Sequence, residues 1–166
     1  MNPFAIAILA YVTIERLIEL SFSGRNTKRL LGRGAREHAA GHYPLIVGVH
    51  TLWLLALWLL ARDRPPEAFW LALYVILQLA RFWALGTLGR RWTTRIIILP
   101  GEELVKAGPY RWVTHPNYWV VAGEIAVLPL VFGLPWVALI FTLLNAAILR
   151  IRIDEENRAL RHHEGC

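Results

Sequence analysis

The chain has 166 residues, of which 56% are hydrophobic and only 18% charged. A soluble domain of this size has too much surface to hide that much apolar material, so an ordinary water-soluble globule is excluded. The formal charge of +6 and the pI of about 10.1 would point to nucleic acid in a soluble protein. Here the basic residues sit between apolar blocks, where anionic lipid headgroups and membrane topology account for them and no nucleic-acid partner is implied.

The first apolar block runs from about Phe4 to Phe22. It follows Met1-Asn2-Pro3 without the basic region of a secretory signal and carries Glu15, Arg16 and Glu19, so it reads as a retained span rather than a cleaved peptide. The second block, Pro44 to Ala61, is apolar apart from His50 and Thr51. The third, Ala68 to Leu88, is interrupted by Gln78 and Arg81. The fourth and fifth fill Tyr118 to Leu149 and are divided by Gly133 and Pro135, which suit a tight turn between helices. From Tyr118 to Phe132 a helix would rise only ~22 Å, less than the ~30 Å of a bilayer core. The expected fold is therefore all-α and integral to the membrane, with about five transmembrane helices. Strands are not expected, because open sheet edges cannot be satisfied in lipid. One domain is expected over residues 1–166, with a three-span part at 1–88 and a loop, helical hairpin and cytoplasmic tail at 89–166.

Lys and Arg set the topology. The five stretches after successive spans hold 5, 2, 5, 0 and 4 of them, the first from Arg25 to Arg36 and the last from Arg150 to Arg161. This alternation predicts an N-terminus outside and a C-terminus in the cytoplasm, with the loops of residues 23–43 and 89–116 on the same side as the tail. The single cysteine, Cys166, allows no intrachain disulfide and does not fit a C-terminal lipidation box. His42 and His50 match no ligand spacing, His162-His163 read as solvated, and no metal site is expected.

Two segments carry polar groups at span ends. Gly108-Pro109-Tyr110-Arg111-Trp112-Val113-Thr114-His115-Pro116-Asn117-Tyr118 opens the fourth span. Gly108 and Pro109 demand a turn, and Pro116 suits the first turn of a helix. The segment would present one imidazole and unpaired helix N–H groups, which suit a ligand carboxylate. Read from spacing alone, it is equally a loop that re-enters the bilayer. Arg150-Ile151-Arg152-Ile153-Asp154-Glu155-Glu156 follows the fifth span. Helical spacing can pair Arg152 with Glu155 or Glu156, leaving a solvated helix end. Alternatively the two adjacent carboxylates hold an ammonium or ribose hydroxyls.

The combination G-P-Y-x-x-x-x-H-P-x-Y, two closely spaced spans, then R-I-x-x-E-E resembles the isoprenylcysteine carboxyl methyltransferase superfamily, whose plan bacterial phospholipid methyltransferases share. The resemblance covers about residues 95–160. It implies a membrane methyltransferase that binds S-adenosylmethionine on the cytoplasmic side. Carried over, Gly108, Tyr110, His115, Pro116 and Tyr118 would line the cofactor and Glu155 and Glu156 would close it. Arg152 would support the acidic pair or face the acceptor. The family usually has Arg before the His-Pro, and this chain has Thr114. In the N-terminal half, Glu15-Arg16-Leu17-Ile18-Glu19, Arg25-Asn26, Gly34-Ala35-Arg36-Glu37 and His42-Tyr43-Pro44 resemble a bacterial branch associated with type III polyketide synthases and taken to O-methylate alkylpyrones or alkylresorcinols. That implies a bacterial cytoplasmic membrane and a ring hydroxyl on a long alkyl chain as acceptor.

Ionisable groups at membrane depth are costly and usually face protein or a cavity. Glu15 and Glu19 share a helix face, Arg16 could reach a neighbouring helix, Gln78 and Arg81 lie on adjacent turns, and Glu124 lies within the fourth span. Each could simply satisfy another. As a set they suggest a polar pocket opening towards the cytoplasm, with Glu15, Glu19 and Arg81 meeting the acceptor. A hydroxyl acceptor must lose its proton, and His115 or Glu124 could take it; Arg152 joins them as a candidate catalytic residue. Four other readings stay open: an isoprenylcysteine-type carboxyl methyltransferase, a phospholipid N-methyltransferase, an enzyme like the NADPH-dependent sterol reductases, which share the tyrosine and His-Pro signature but have more spans, and a non-catalytic membrane scaffold.

Overall fold

The computed structural model describes residues 1–38, 41, 43–101 and 105–164; for 157 and 159–164 only the backbone is described. His42, the imidazoles of His162 and His163, and Cys166 lie outside the described residues and side chains. Helices account for most of the rest: α1 (Pro3–Gly32), α2 (Tyr43–Leu60), α3 (Ala68–Leu88), α4 (Pro116–Val131) and α5 (Pro135–Glu164). α4 packs against both α3 and α5, which makes the shortest of these helices the centre of the bundle. The core gathers Leu9 and Val12, Trp53 and Leu57, Tyr74, and Ile125, Leu128 and Phe132. Large apolar side chains also cover the outside, among them Leu17, Ile18, Leu59, Leu79 and Leu143, each more than half exposed. Such a surface suits lipid rather than water.

Local signals explain the helix ends. Asn2 caps α1, its side-chain oxygen accepting from the N–H groups of Phe4 at 3.0 Å and Ala5 at 3.3 Å, with Pro3 in the first turn. α1 then runs 30 residues, about ten beyond the expected end of the first span. The extension is helical because Ser23, Asn26 and Leu30 recur on one buried face. Ser23 bonds to the Thr94 hydroxyl at 2.8 Å, and the Asn26 amide donates to the carbonyls of Trp92 at 2.8 Å and Gly89 at 3.2 Å. Between α4 and α5, Gly133 takes φ +62° and Pro135 opens the next helix, as the turn signal implies. α3 and α4 approach closely at Gly123, where a Cβ would lie 2.9 Å from Leu77 Cδ2.

Three helices are long and apolar enough to cross a membrane: Tyr43–Leu60, Ala68–Arg91 with its continuation into a 3₁₀ turn, and Pro135–Glu156. α1 carries Glu15, Arg16 and Glu19 at mid-length, and α4 has only 16 residues. The expectation of no strands needs correcting. β1 (Arg36–His38) and β2 (Ile96–Ile98) pair antiparallel, Arg36 opposite Ile98 and His38 opposite Ile96. The lipid argument does not apply to them, because both lie in the connections between apolar helices.

Candidate functional site

The His-Pro segment and the acidic end of α5 meet. Gly108–Arg111 forms one 3₁₀ turn with Pro109 buried. Gly108 has φ +51°, and a Cβ there would stand 2.5 Å from Thr87 Oγ1 on α3, so backbone conformation and space both call for glycine. Trp112 leans on Trp83 of α3, with ring centroids 6.0 Å apart. His115 precedes the helix at φ −130° and ψ +64°, outside the helical region that a following proline disfavours, and Pro116 opens α4. The His115 ring lies 5.0 Å from that of Tyr118 at an interplanar angle of 14°.

Tyr118 is the hub. Its hydroxyl donates to the Glu156 carboxylate and accepts from Arg152 Nε at 2.7 Å. The Arg152 guanidinium lies 5.2 Å from the Tyr118 ring centroid, and its Nη1 donates to the Thr94 carbonyl at 2.7 Å. His115 Nδ1 stands 3.8 Å from Glu156 Oε2. Burial, and then the negative charge of Glu156, push the Tyr110 hydroxyl up to about 12, so it stays a neutral donor at physiological pH. Asn117 Oδ1, next to Tyr118 in the chain, is buried without a hydrogen-bond partner among the described residues. Tyr110, His115, Tyr118, Arg152 and Glu156 thus lie near one another, while Gly108 and Pro116 shape the backbone around them.

Other expectations change in detail. Arg152 pairs with neither Glu155 nor Glu156; it is 8% exposed and turns inwards to Tyr118 and Thr94. Glu155 instead accepts from Arg158 at 3.0 Å on the outer side. At the start of α4 the Tyr118 N–H already donates to the His115 carbonyl at 3.1 Å, so that group is not free for a ligand. Thr114 is exposed. No sequence pattern marks Thr94, because its backbone oxygen holds Arg152 and any residue type supplies that atom.

A second cluster lies deeper. Arg16 bonds to Glu124 Oε2 at 2.7 Å and to Glu19 at 3.2 Å. Arg81 grips Glu19 through two nitrogens at 2.5 Å each and reaches Glu124 Oε2 at 2.8 Å. Gln78 donates to Glu15 at 3.1 Å and to the Tyr74 hydroxyl at 2.5 Å. The residues that stand out by depth alone therefore bond to one another, across α1, α3 and α4, although Glu15 Oε1, Gln78 Oε1 and Glu124 Oε1 accept no hydrogen bond from the described residues. Against α1 and α3 lies an open cavity of about 330 Å³, walled by Ile14, Ile18, Phe82 and Leu85 and bordered by Glu15 and Glu19. Phe22 and Trp92, stacked 6.1 Å apart, also line it, and Trp92 is two residues from Thr94, the anchor of Arg152. His50 lies half-buried on α2.

Comparison with known proteins agrees with this arrangement. The model of the isoprenylcysteine carboxyl methyltransferase (ICMT) family matches residues 70–162, which takes in α4, the His-Pro turn and the acidic part of α5. An uncharacterized protein of Bacillus subtilis (strain 168), YpbQ, is 36% identical over 161 residues, covering 94% of this chain and 96% of that protein. An uncharacterized protein of Haemophilus influenzae (strain ATCC 51907 / DSM 11121 / KW20 / Rd) is 26% identical over 159 residues, covering 92% of each. No solved structure matches. With its apolar helices and with a family match over more than half its length that includes the Tyr118–Glu156 cluster, the chain is a membrane protein of the isoprenylcysteine carboxyl methyltransferase family.

Proposed function

We propose that this protein transfers a methyl group from S-adenosylmethionine to a lipophilic acceptor, with a ring hydroxyl on a long alkyl chain, as in an alkylpyrone, as the acceptor. The observation that carries the reading is the junction of Tyr118, Arg152 and Glu156, which ties the His-Pro turn to the acidic end of α5. The residues present fit the cofactor. Glu155 and Glu156 suit its ammonium and ribose hydroxyls, and Asn117 Oδ1 is a buried acceptor in want of a donor. Neutral Tyr110 and the His115–Tyr118 stack add a donor and flat aromatic surface. When bound, S-adenosylmethionine supplies an electrophilic methyl carbon, so that an acceptor oxygen gains the methyl group as the carbon–sulfur bond breaks and S-adenosylhomocysteine leaves.

The chain's own part is alignment and proton handling. Arg152, fixed by Tyr118 and Thr94, holds the cofactor-side wall in place. His115 takes the acceptor proton: it stands at the membrane edge beside Glu156, whereas Glu124 Oε2 is occupied by Arg16 and Arg81. The acceptor enters sideways from lipid and the cofactor from the cytoplasm. This requires the five-span topology with the N-terminus outside. Supporting it are the alternation of Lys and Arg, the apolar outer face of α1, and the pairing of every α1 mid-helix charge within the bundle. The bacterial cytoplasmic membrane and a functional link to a polyketide synthase belong to the same reading.

Calorimetry on purified protein tests it. Glu156→Ala should weaken S-adenosylmethionine binding by about tenfold or more, since a charged hydrogen-bond partner is lost, and Glu155→Ala should weaken it less. Unchanged affinity in both variants would overturn the cofactor assignment. Labelled S-adenosylmethionine supplied with alkylpyrones, prenylcysteines and phosphatidylethanolamine then identifies the acceptor.

A further inference from the structure

The helical extension of α1 and the stem of β2 border a second cavity, of about 230 Å³, which shares no lining residue with the larger one. Ser23, Thr27 and Lys28 of α1 line it, with Thr94 and Arg95 ahead of β2 and Tyr43 at the start of α2. Its polar groups are short of acceptors. Ser23, Thr94 and Tyr43 bring three hydroxyl protons but make two hydrogen bonds among themselves, at 2.8 and 3.2 Å, so one proton is left to donate. The Thr27 hydroxyl is buried with no hydrogen-bond partner among the described residues. Lys28 is exposed and forms no ion pair among them. Arg95 commits only Nη1 to Glu37, and its guanidinium lies 4.6 Å above the Tyr43 ring with Nε and Nη2 unpaired among the described residues.

Spare donors beside two cations call for an anion rich in acceptor oxygens. The donors come from three elements, which suits a tetrahedral phosphate better than a flat carboxylate. Counting Glu37 against Lys28 and Arg95 leaves one positive charge, the match for a phosphodiester with its single negative charge. The floor is firm, since Thr94 bonds to Ser23 through both its hydroxyl and its N–H and holds Arg152 through its carbonyl. The place of the cavity along α1 indicates the source of the phosphate. Leu17 and Ile18 are exposed, Leu20 lines the cavity, and Ser23, Thr27 and Lys28 follow, so the apolar outer surface gives way to polar groups at this level. Phospholipid headgroups lie at such a boundary, with acyl chains on one side and water on the other. We infer that this cavity binds the phosphate of an anionic phospholipid, with Lys28 and Arg95 meeting its charge and Thr27 donating to one of its oxygens. The acyl chains then run along α1 past Leu20 and Leu17.

The test is native mass spectrometry of the full-length protein in detergent, titrated with dioleoylphosphatidylglycerol or with dioleoylglycerol, which has the same tails and no phosphate. The first phosphatidylglycerol should bind about tenfold more tightly than dioleoylglycerol, as charge-assisted hydrogen bonds to the phosphate require. Lys28→Glu should remove that preference. Lys106→Glu makes the same change of charge at an exposed residue outside the cavity and should preserve it. Thr27→Val keeps the shape of the side chain and should narrow the preference severalfold. Equal binding of the two lipids overturns the inference. So does an equal loss in Lys28→Glu and Lys106→Glu, which would mean diffuse attraction to the whole basic surface. Neither result depends on Thr27→Val folding. Inorganic phosphate added at millimolar concentration separates the two sources of the anion: bound lipid that stays in place supports the headgroup, and lipid displaced by phosphate overturns the headgroup in favour of a free phosphate.

Discussion

The two polar clusters of this protein are built from similar residues and held in different ways. The deep one sets Arg16 and Arg81 against Glu15, Glu19 and Glu124 on three helices, and its cations are bonded to carboxylates several times over. The one at the end of α5 hangs on a neutral phenol, Tyr118, with the Arg152 cation anchored to a backbone carbonyl rather than to an acid. Charges that lock one another resist change, and taking either partner away strands the other in a medium that cannot solvate it. A carboxylate held by a single phenol keeps capacity for a ligand. The deep cluster should therefore govern assembly of the bundle and the shallow one ligand affinity, and substitutions should separate the two effects.

Arg81→Leu is expected to have the largest effect. It removes three close bonds and leaves Glu19 and Glu124 with only Arg16 between them. Breaking a buried pair by deleting one partner costs about 3–5 kcal/mol. The thermal midpoint in detergent should fall sharply, and combining Arg81→Leu with Glu19→Leu should recover part of the loss because one stranded charge is removed with its partner. A single variant as stable as the parent would mean that the cluster is solvated, and the contrast with the shallow site would collapse.

Tyr118→Phe acts on the other side of the comparison and should behave in the opposite way. The ring stays, with its stack on His115 and its position against the Arg152 guanidinium, and only the hydroxyl that joins Glu156 to Arg152 is lost. Stability should change by about 1 kcal/mol, while S-adenosylmethionine affinity, measured by calorimetry, falls by about tenfold as Glu156 loses its orientation. A drop in stability as large as that of Arg81→Leu, with affinity retained, would make Tyr118 a packing residue only.

Much of this arrangement is legible in the amino-acid sequence, and for identifiable reasons. Apolar blocks bounded by Gly133, Pro135 and Pro116 mark helices in nearly the right places, because turn residues and lipid-facing surface leave few alternatives. Depth alone singles out Glu15, Glu19, Gln78, Arg81 and Glu124, since a buried charge must find a partner and the partners available are one another. Tyr110, His115, Tyr118 and Glu156, which the family resemblance groups, lie near one another in the structure. The inward turn of Arg152 is not legible, because helical spacing offers Glu155 and Glu156 as neighbours and gives no weight to a distant backbone carbonyl. Nor are the helical stretch from Ser23 to Gly32 and the two short strands, whose partners come from far along the chain: Asn26 to Trp92, and Arg36 to Ile98.

Those strands provide the smallest effect and a check on how far the shallow site extends. β2 begins two residues after Thr94, the anchor of Arg152, and the Arg95 between them pairs with Glu37 of β1 at 2.9 Å. Arg95 is 41% exposed at its side chain and also lies 4.6 Å above the Tyr43 ring, so removing Glu37 leaves it with a second contact. Exposed pairs contribute about 0–1 kcal/mol and weaken with salt. Glu37→Ala should therefore shift the unfolding midpoint slightly, less so at high ionic strength, and leave cofactor affinity as it is. Should affinity fall together with Glu37, the strand pair would be positioning Thr94 and through it Arg152. The cofactor-side cluster would then depend on ion pairing as the deep cluster does, with the pair lying in water rather than in the bundle.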